Sequence, residues 1–156
     1  MISQLTGSLL EALPTRVVLD VGGVGYELGV SATTAASLPA VGEAGVTLLT
    51  RLLVKESALE LYGFATREER SVFDRLVAVS GVGPKLALAV LSTYSAASLA
   101  TIVATQDATR MAQVPGVGKK KAQRLLMELQ DVFAKDAKLR GLVGMSEAPA
   151  SDVPLP

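Results

Sequence analysis

The chain has 156 residues, 49% hydrophobic and only 4% aromatic, with no Cys, His or Trp. Those absences exclude a disulfide framework, an Fe–S cluster and a zinc–thiolate site, and they remove the commonest general base together with the commonest metal ligand. The formal charge of zero hides a split: residues 1–63 carry three basic and six acidic groups, residues 64–156 carry twelve and nine, and residues 79–124 carry six basic groups against Asp107 alone.

The first 64 residues read as strands. Apolar residues alternate at Val17, Leu19 and Val21 and again at Tyr26, Leu28 and Val30, the period of a half-buried strand. Gly22-Gly23 between the two runs is a two-residue hairpin signal. Residues 2–10, the long apolar run 46–54, and Leu59, Leu61 and Phe64 supply three more strands, with one helical turn expected at 34–38. Five short strands in this space suit a small closed barrel of the OB-fold type, expected over 1–64.

From residue 65 the period becomes helical, and an all-α unit is expected over 65–140, which makes the chain a multidomain α+β protein. Thr66-Arg67-Glu68-Glu69 reads as a capping box, with Thr66 as the cap and Glu69 reaching back to it. Val72, Phe73, Leu76, Val77 and Val79 follow at helical spacing. Ser95 and Asp107 look like caps of two further short helices, and a last long helix is expected from Gly118 to about Phe133. Residues 141–156, rich in Gly, Ala, Ser and Pro, read as a linker or frayed tail.

The informative feature is an internal repeat. Val79-Ser80-Gly81-Val82-Gly83-Pro84-Lys85-Leu86-Ala87 matches Val114-Pro115-Gly116-Val117-Gly118-Lys119-Lys120-Lys121-Ala122 in register. In each copy a helix ends, the chain turns through Gly-Val-Gly, and a new helix begins. The glycines permit unusual dihedrals and clear away side chains, so a ligand can approach the backbone closely. The unpaired N–H groups and positive dipole end of the new helix make an anion site suited to one phosphate. The central Val is expected to pack inward, Ala87 and Ala122 to let each helix pair approach, and Pro84 to fit the first helical turn. Lys85 in one copy, and Lys119, Lys120, Lys121 and Arg124 in the other, would add positive charge beside the phosphate.

This unit is the helix–hairpin–helix motif, and a tandem pair after an N-terminal barrel resembles the bacterial RuvA family. The resemblance rests on four ordered blocks: Val21-Gly22-Gly23-Val24-Gly25-Tyr26-Glu27, Leu61-Tyr62-Gly63-Phe64, and the two hairpins. It implies a non-catalytic subunit that binds Holliday junctions in an open, roughly square form as a tetramer or two stacked tetramers. It also implies recruitment of the RuvB ATPase and work beside the RuvC resolvase. The DNA contacts it implies are to backbone phosphates, at Gly81, Val82, Gly83 and Lys85 and at Gly116, Val117, Gly118, Lys119, Lys120 and Arg124; the cluster reading adds Lys121. The family's acidic pin, usually two adjacent acids after a basic residue, corresponds to Lys55-Glu56-Ser57, so Glu56 matches and Ser57 stands where the second acid would be. The family also has a third helical domain that contacts the motor. This chain stops inside what resembles the linker to it, so as it stands it is expected to bind junctions without coupling to the motor.

Two rival readings stand against this one. A DNA glycosylase also uses Gly-Val-Gly hairpins and would draw its catalytic Asp from Asp131 or Asp136, but residues 66–133 are too few to build a base-flipping pocket. A generic duplex or single-strand binding module is the other, although Tyr26, Tyr62 and Phe64 make a poor stacking platform. No Gly-x4-Gly-Lys-Ser/Thr loop is present, so ATP hydrolysis is assigned to a partner. No cofactor and no metal are expected. The N-terminus lacks a signal-peptide profile, and no run of about 18 apolar residues could cross a membrane. A soluble, cytoplasmic protein is expected.

Overall fold

The computed structural model describes residues 1–135; the expected tail at 141–156 and the end of the expected 65–140 unit lie outside them. Five strands close into a barrel in the order β1-β2-β3-β5-β4. They are β1 (Gln4–Leu13), β2 (Arg16–Val21), β3 (Val24–Gly29), β4 (Val46–Val54) and β5 (Leu59–Phe64). β1 makes closure possible because it serves two neighbours: Gln4 to Gly7 pair with β4, and Ser8 onward pairs with β2 through an irregularity between Leu9 and Glu11. β3 and β5 meet in parallel, and the other four pairings are antiparallel. The barrel and its short turns match the sequence expectation. The first strand is displaced, however, running to Leu13 rather than to residue 10, because its second half is held by the β2 ladder. The turn joining β2 to β3 is the Gly22-Gly23 pair, with φ of 62° and 92°, the backbone that a two-residue hairpin demands.

A short helix α1 (Ala32–Ser37) links β3 to β4, and Ser31 caps it by accepting from the Thr34 N–H. The helical region contains α2 (Arg67–Ala78), α3 (Pro84–Thr93), α4 (Ala96–Ala104), α5 (Ala108–Met111) and α6 (Lys119–Lys135). Ser95 and Asp107 cap α4 and α5 as their sequence positions suggest. No single helix among the described residues is long and apolar enough to cross a membrane.

Alternation along the strands gives the barrel two faces. Leu5, Leu9, Val17, Leu19, Leu28, Val46 and Leu48 fill its interior. Leu49 and Phe64 point the other way and join the helical core. Phe73 of α2 packs on that outer face, its ring 4.9 Å from Phe64 and 5.2 Å from Tyr62. Full burial of such a ring contributes about 2–3 kcal/mol.

Polar contacts then fix the helical layer on the barrel. Arg51 of β4 donates to both carboxylate oxygens of Asp74 at 2.8 and 2.6 Å, a bidentate geometry that sets orientation. Arg70 donates to the Ser3 carbonyl at 2.8 Å. The end of α3 is tied to α1: the Ala32 N–H donates to Ser92 Oγ at 2.8 Å, and Thr33 Oγ1 donates to the Leu91 carbonyl at 2.7 Å.

The capping box is corrected in one half. Thr66 Oγ1 does accept from the Glu69 N–H at 3.1 Å. The Glu69 carboxyl turns toward α1 instead of back to the cap, taking hydrogen bonds from the hydroxyls of Ser31 and Thr34. The same Thr34 hydroxyl accepts from the Ala65 N–H at 3.2 Å. Glu69 is 2% exposed, and burial pushes its carboxyl up to about 7 despite those two donors. A local sequence pattern cannot show that a side chain from another unit offers a better partner.

Candidate nucleic-acid interface

Each Gly-Val-Gly segment is a four-residue turn entering a helix. In the first, the Val82 N–H donates to the Val79 carbonyl at 3.0 Å with Gly81 at φ 86°. In the second, the Val117 N–H donates to the Val114 carbonyl at 3.0 Å with Gly116 at φ 87°. A positive φ at the third turn position is the type II pattern, which requires glycine there. Pro115 takes the second position, where its fixed φ suits the turn. The first helical bonds also correspond, from the Ala87 N–H to the Gly83 carbonyl and from the Ala122 N–H to the Gly118 carbonyl. The repeat read in the sequence is therefore a repeat of backbone geometry.

The other two glycines serve a different end. Gly83 lies at φ −90°, ψ 175°, extended backbone that any residue adopts. A Cβ built on Gly83 or on Gly118 would meet nothing within 4 Å. The fold places no demand for glycine at either site, yet both sit at a helix N-terminus, where a side chain would screen the amides. Gly83 caps α3 without a side-chain hydrogen bond, leaving the first-turn donors to a ligand or water. Pro84 removes one of those donors in the first copy, whereas Lys119 keeps it in the second.

Val82 and Val117 are buried, as are Ala87 and Ala122 beneath them. Lys85, Lys119, Lys120 and Lys121 are exposed. Lys85 differs from the others in its surroundings. It lines a groove of about 460 Å³ between α3 and the barrel, with Glu27 and Glu60 among the other lining residues. The three consecutive lysines open α6, which has no acidic residue in its first turn.

The two hairpins touch one another. A Cβ on Gly116 would stand 3.5 Å from Leu86 of α3, and one on Gly81 would stand 3.6 Å from Arg124 Nη1 of α6. Arg124 Nη2 donates to the Ser80 carbonyl at 2.6 Å, and its Nε contacts Glu128 at 3.3 Å. Sequence reasoning placed Arg124 among the phosphate ligands; its partner Ser80 lies 44 residues away and carries no local signal. Tyr94 braces the approach to the second hairpin, its hydroxyl donating to the Arg110 carbonyl at 2.6 Å.

Glu56 and Ser57 sit at the exposed tip of the β4–β5 hairpin, closed by the Lys55 N–H donating to the Ala58 carbonyl at 2.8 Å. Lys55 pairs with Glu60 at 2.9 Å, and that bond, aided by a hydrogen bond from Tyr62, holds the Glu60 carboxyl below its ordinary range. Glu60 is therefore paired with a cation. Glu56 has no ion-pair partner among the described residues. No group of His, Cys, Asp and Glu able to hold a metal occurs among them either. Asp131, one of the two glycosylase candidates, is exposed on α6, and the other, Asp136, lies outside the described residues.

A closed five-stranded barrel carrying two adjacent, glycine-lined helix–hairpin–helix turns defines a DNA-binding protein of the tandem helix–hairpin–helix class. Comparison with known proteins narrows the class. Residues 1–63 match the RuvA N terminal domain, and residues 73–131 match the SAM-like helix-hairpin-helix tandem. The chain is 49% identical over 148 residues to the Holliday junction branch migration complex subunit RuvA of Leptothrix cholodnii, covering 95% of this chain and 77% of that one. The subunits of the same name from Acidovorax sp. strain JS42 and Neisseria meningitidis strain FAM18 are 51% identical over 140 residues and 48% over 152. Those alignments cover 90% and 97% of this chain, and 73% and 77% of the relatives. The chain belongs to the RuvA family.

Proposed function

We propose that this chain is the non-catalytic DNA-binding subunit of a branch-migration complex, holding four-way junctions open through their backbone phosphates. The observation that carries the reading is the pair of hairpins, each with an unscreened helix N-terminus and the two in direct contact. A phosphate at Gly81, Val82, Gly83 and Lys85, and another at Gly116, Val117, Gly118, Lys119, Lys120 and Lys121, would meet amides and ammonium groups without any base being read. The domain division 1–64 and 65–140 belongs to the same reading, with the barrel presenting the pin and the helices presenting the grip. The chain acts as a homotetramer, or as two stacked tetramers on DNA, in the cytoplasm. Its partners are a RuvB-type ATPase that drives the arms and a RuvC-type resolvase.

In a fourfold assembly, four copies of Glu56 surround the crossover. Carboxylates there repel phosphates and disfavour a collapsed, stacked junction. Glu56→Gln is expected to lower the preference for a four-way junction over duplex and to alter the rate at which the bound junction migrates spontaneously. No change in either would remove the pin from the mechanism.

The deciding experiment is a gel shift on a four-way junction against linear duplex of equal length, across a salt series. Junction binding should be preferred and should weaken steeply with salt, as counterion release requires. Replacing Lys119 and Lys120 by Ala should lower affinity about tenfold for all sequences alike and flatten the salt slope by about 2. Equal affinity for both substrates would favour a general duplex-binding module instead, and a loss that varied with sequence would contradict backbone-only recognition.

A further inference from the structure

Arg124 stands apart from the other basic residues of the second hairpin. Its guanidinium reaches out of its own unit to the first hairpin, where Nη2 donates to the Ser80 carbonyl at 2.6 Å. Nη1 lies 3.6 Å from the point where a Gly81 Cβ would be. Nε faces Glu128 one helical turn along, at 3.3 Å, in an i,i+4 ion pair. The side chain remains about half exposed. Two of its five N–H donors are thus directed at one peptide group and one carboxylate, and Glu128 offsets part of its charge. A guanidinium so paired offers less net charge to a phosphate than an unpaired lysine would. It does fix where one hairpin stands relative to the other.

The accepting carbonyl adds a second consequence. The Ser80 C=O and the Gly81 N–H belong to the same peptide unit. A charged donor on that oxygen polarises the peptide and makes its N–H a stronger donor. This N–H lies in the tight turn that the Val82 N–H closes by donating to the Val79 carbonyl.

We propose that Arg124 is a positioning residue: it staples the second hairpin to the first, sets the spacing of the two phosphate sites, and primes the Ser80–Gly81 peptide, without itself ligating phosphate. The proposal rests on the phosphate-gripping function assigned above. It accounts for an arginine at this site rather than a fourth lysine, because a planar fork holds the carbonyl and the carboxylate from separate nitrogens in fixed directions, whereas a compact ammonium would have to bring both to one nitrogen.

The test uses the whole chain, as wild type, Arg124→Gln, Arg124→Lys and, as the phosphate-contact control, Lys120→Ala. Affinity for a four-way junction and for duplex is measured across a salt series. Glycine-selective 15N spectra are recorded without DNA. Arg124→Gln is expected to shift the Gly81 amide, to lower junction affinity roughly tenfold, the worth of one charged hydrogen bond, and to leave the salt slope at the wild-type value. Arg124→Lys should fall with Arg124→Gln. Lys120→Ala should leave Gly81 in place and reduce the slope by about 1. The proposal is overturned if Arg124→Gln reduces the slope as Lys120→Ala does while Arg124→Lys binds like wild type. It is equally overturned if neither Gly81 nor affinity responds. A wild-type protein with no junction preference would count against the parent reading instead, and the DNA-free Gly81 shift would still decide the staple.

Discussion

Replacing both Gly83 and Gly118 by Asp is expected to abolish tight junction binding while leaving the fold as stable as before. Neither glycine is required by its backbone: Gly83 is extended, and a Cβ at either position enters open space. Asp is among the best N-cap residues, and its charge suits the positive end of a helix, so each substitution should be neutral or stabilising by a few tenths of a kcal/mol. The introduced carboxylate would accept from the amides left for phosphate and would repel the DNA. Losing two charged hydrogen-bonding sites at about 1.5–3 kcal/mol each predicts at least a hundredfold loss of affinity. Thermal unfolding and junction binding, measured on the same sample, check both halves. Retained affinity would mean that phosphate does not approach these helix ends. The complementary variants, Gly81→Ala and Gly116→Ala, should behave differently: their positive φ makes any side chain strained, so stability should fall with binding, by about 1–2 kcal/mol per site.

The second large effect concerns pH. Glu69 is buried between α2 and the barrel, and burial pushes its carboxyl up to about 7 from an ordinary value of 4.5. Its polar partners are the Ser31 and Thr34 hydroxyls. The unfolded chain releases this proton near the ordinary value and the folded chain only near neutrality. Between those two pH values the unfolded state therefore binds fewer protons, and stability falls as pH rises. The contribution is fully present below about 4.5 and lost once pH passes about 7, a swing of roughly 3 kcal/mol. Glu69→Gln keeps an acceptor for both hydroxyls but cannot ionise. Its stability relative to wild type should accordingly increase from pH 5 to pH 8, as read by denaturant unfolding at several pH values. A difference independent of pH would show that Glu69 ionises in the fold as it does in water.

Local rules made much of this molecule legible. Gly22-Gly23, the alternation through Val17 to Val30 and the run 46–54 each code for one backbone form, so the barrel strands followed. Gly81 and Gly116 were legible for the same reason, since a type II turn requires glycine at one position wherever it occurs. Glu69 was misread because the capping-box pattern describes only the helix that contains it. Ser31 and Thr34, 38 and 35 residues earlier, offered hydroxyls in a buried setting that the sequence does not display. Arg51 with Asp74, and Lys55 with Glu60, were equally invisible as pairs.

The sequence by itself determined the two Gly-Val-Gly turns, their order after the barrel and the excess of charge on the second. These depend on dihedral preference, helix ends and residue type, which act within a few neighbouring residues. Tertiary structure alone decided how the turns stand to one another and to the barrel. Arg124 reached the first hairpin, Lys85 faced a groove with Glu60, and Glu60 was paired with Lys55. Those outcomes depend on distances across the folded chain, which closure of the barrel and docking of α2 set and which no run of residues encodes locally.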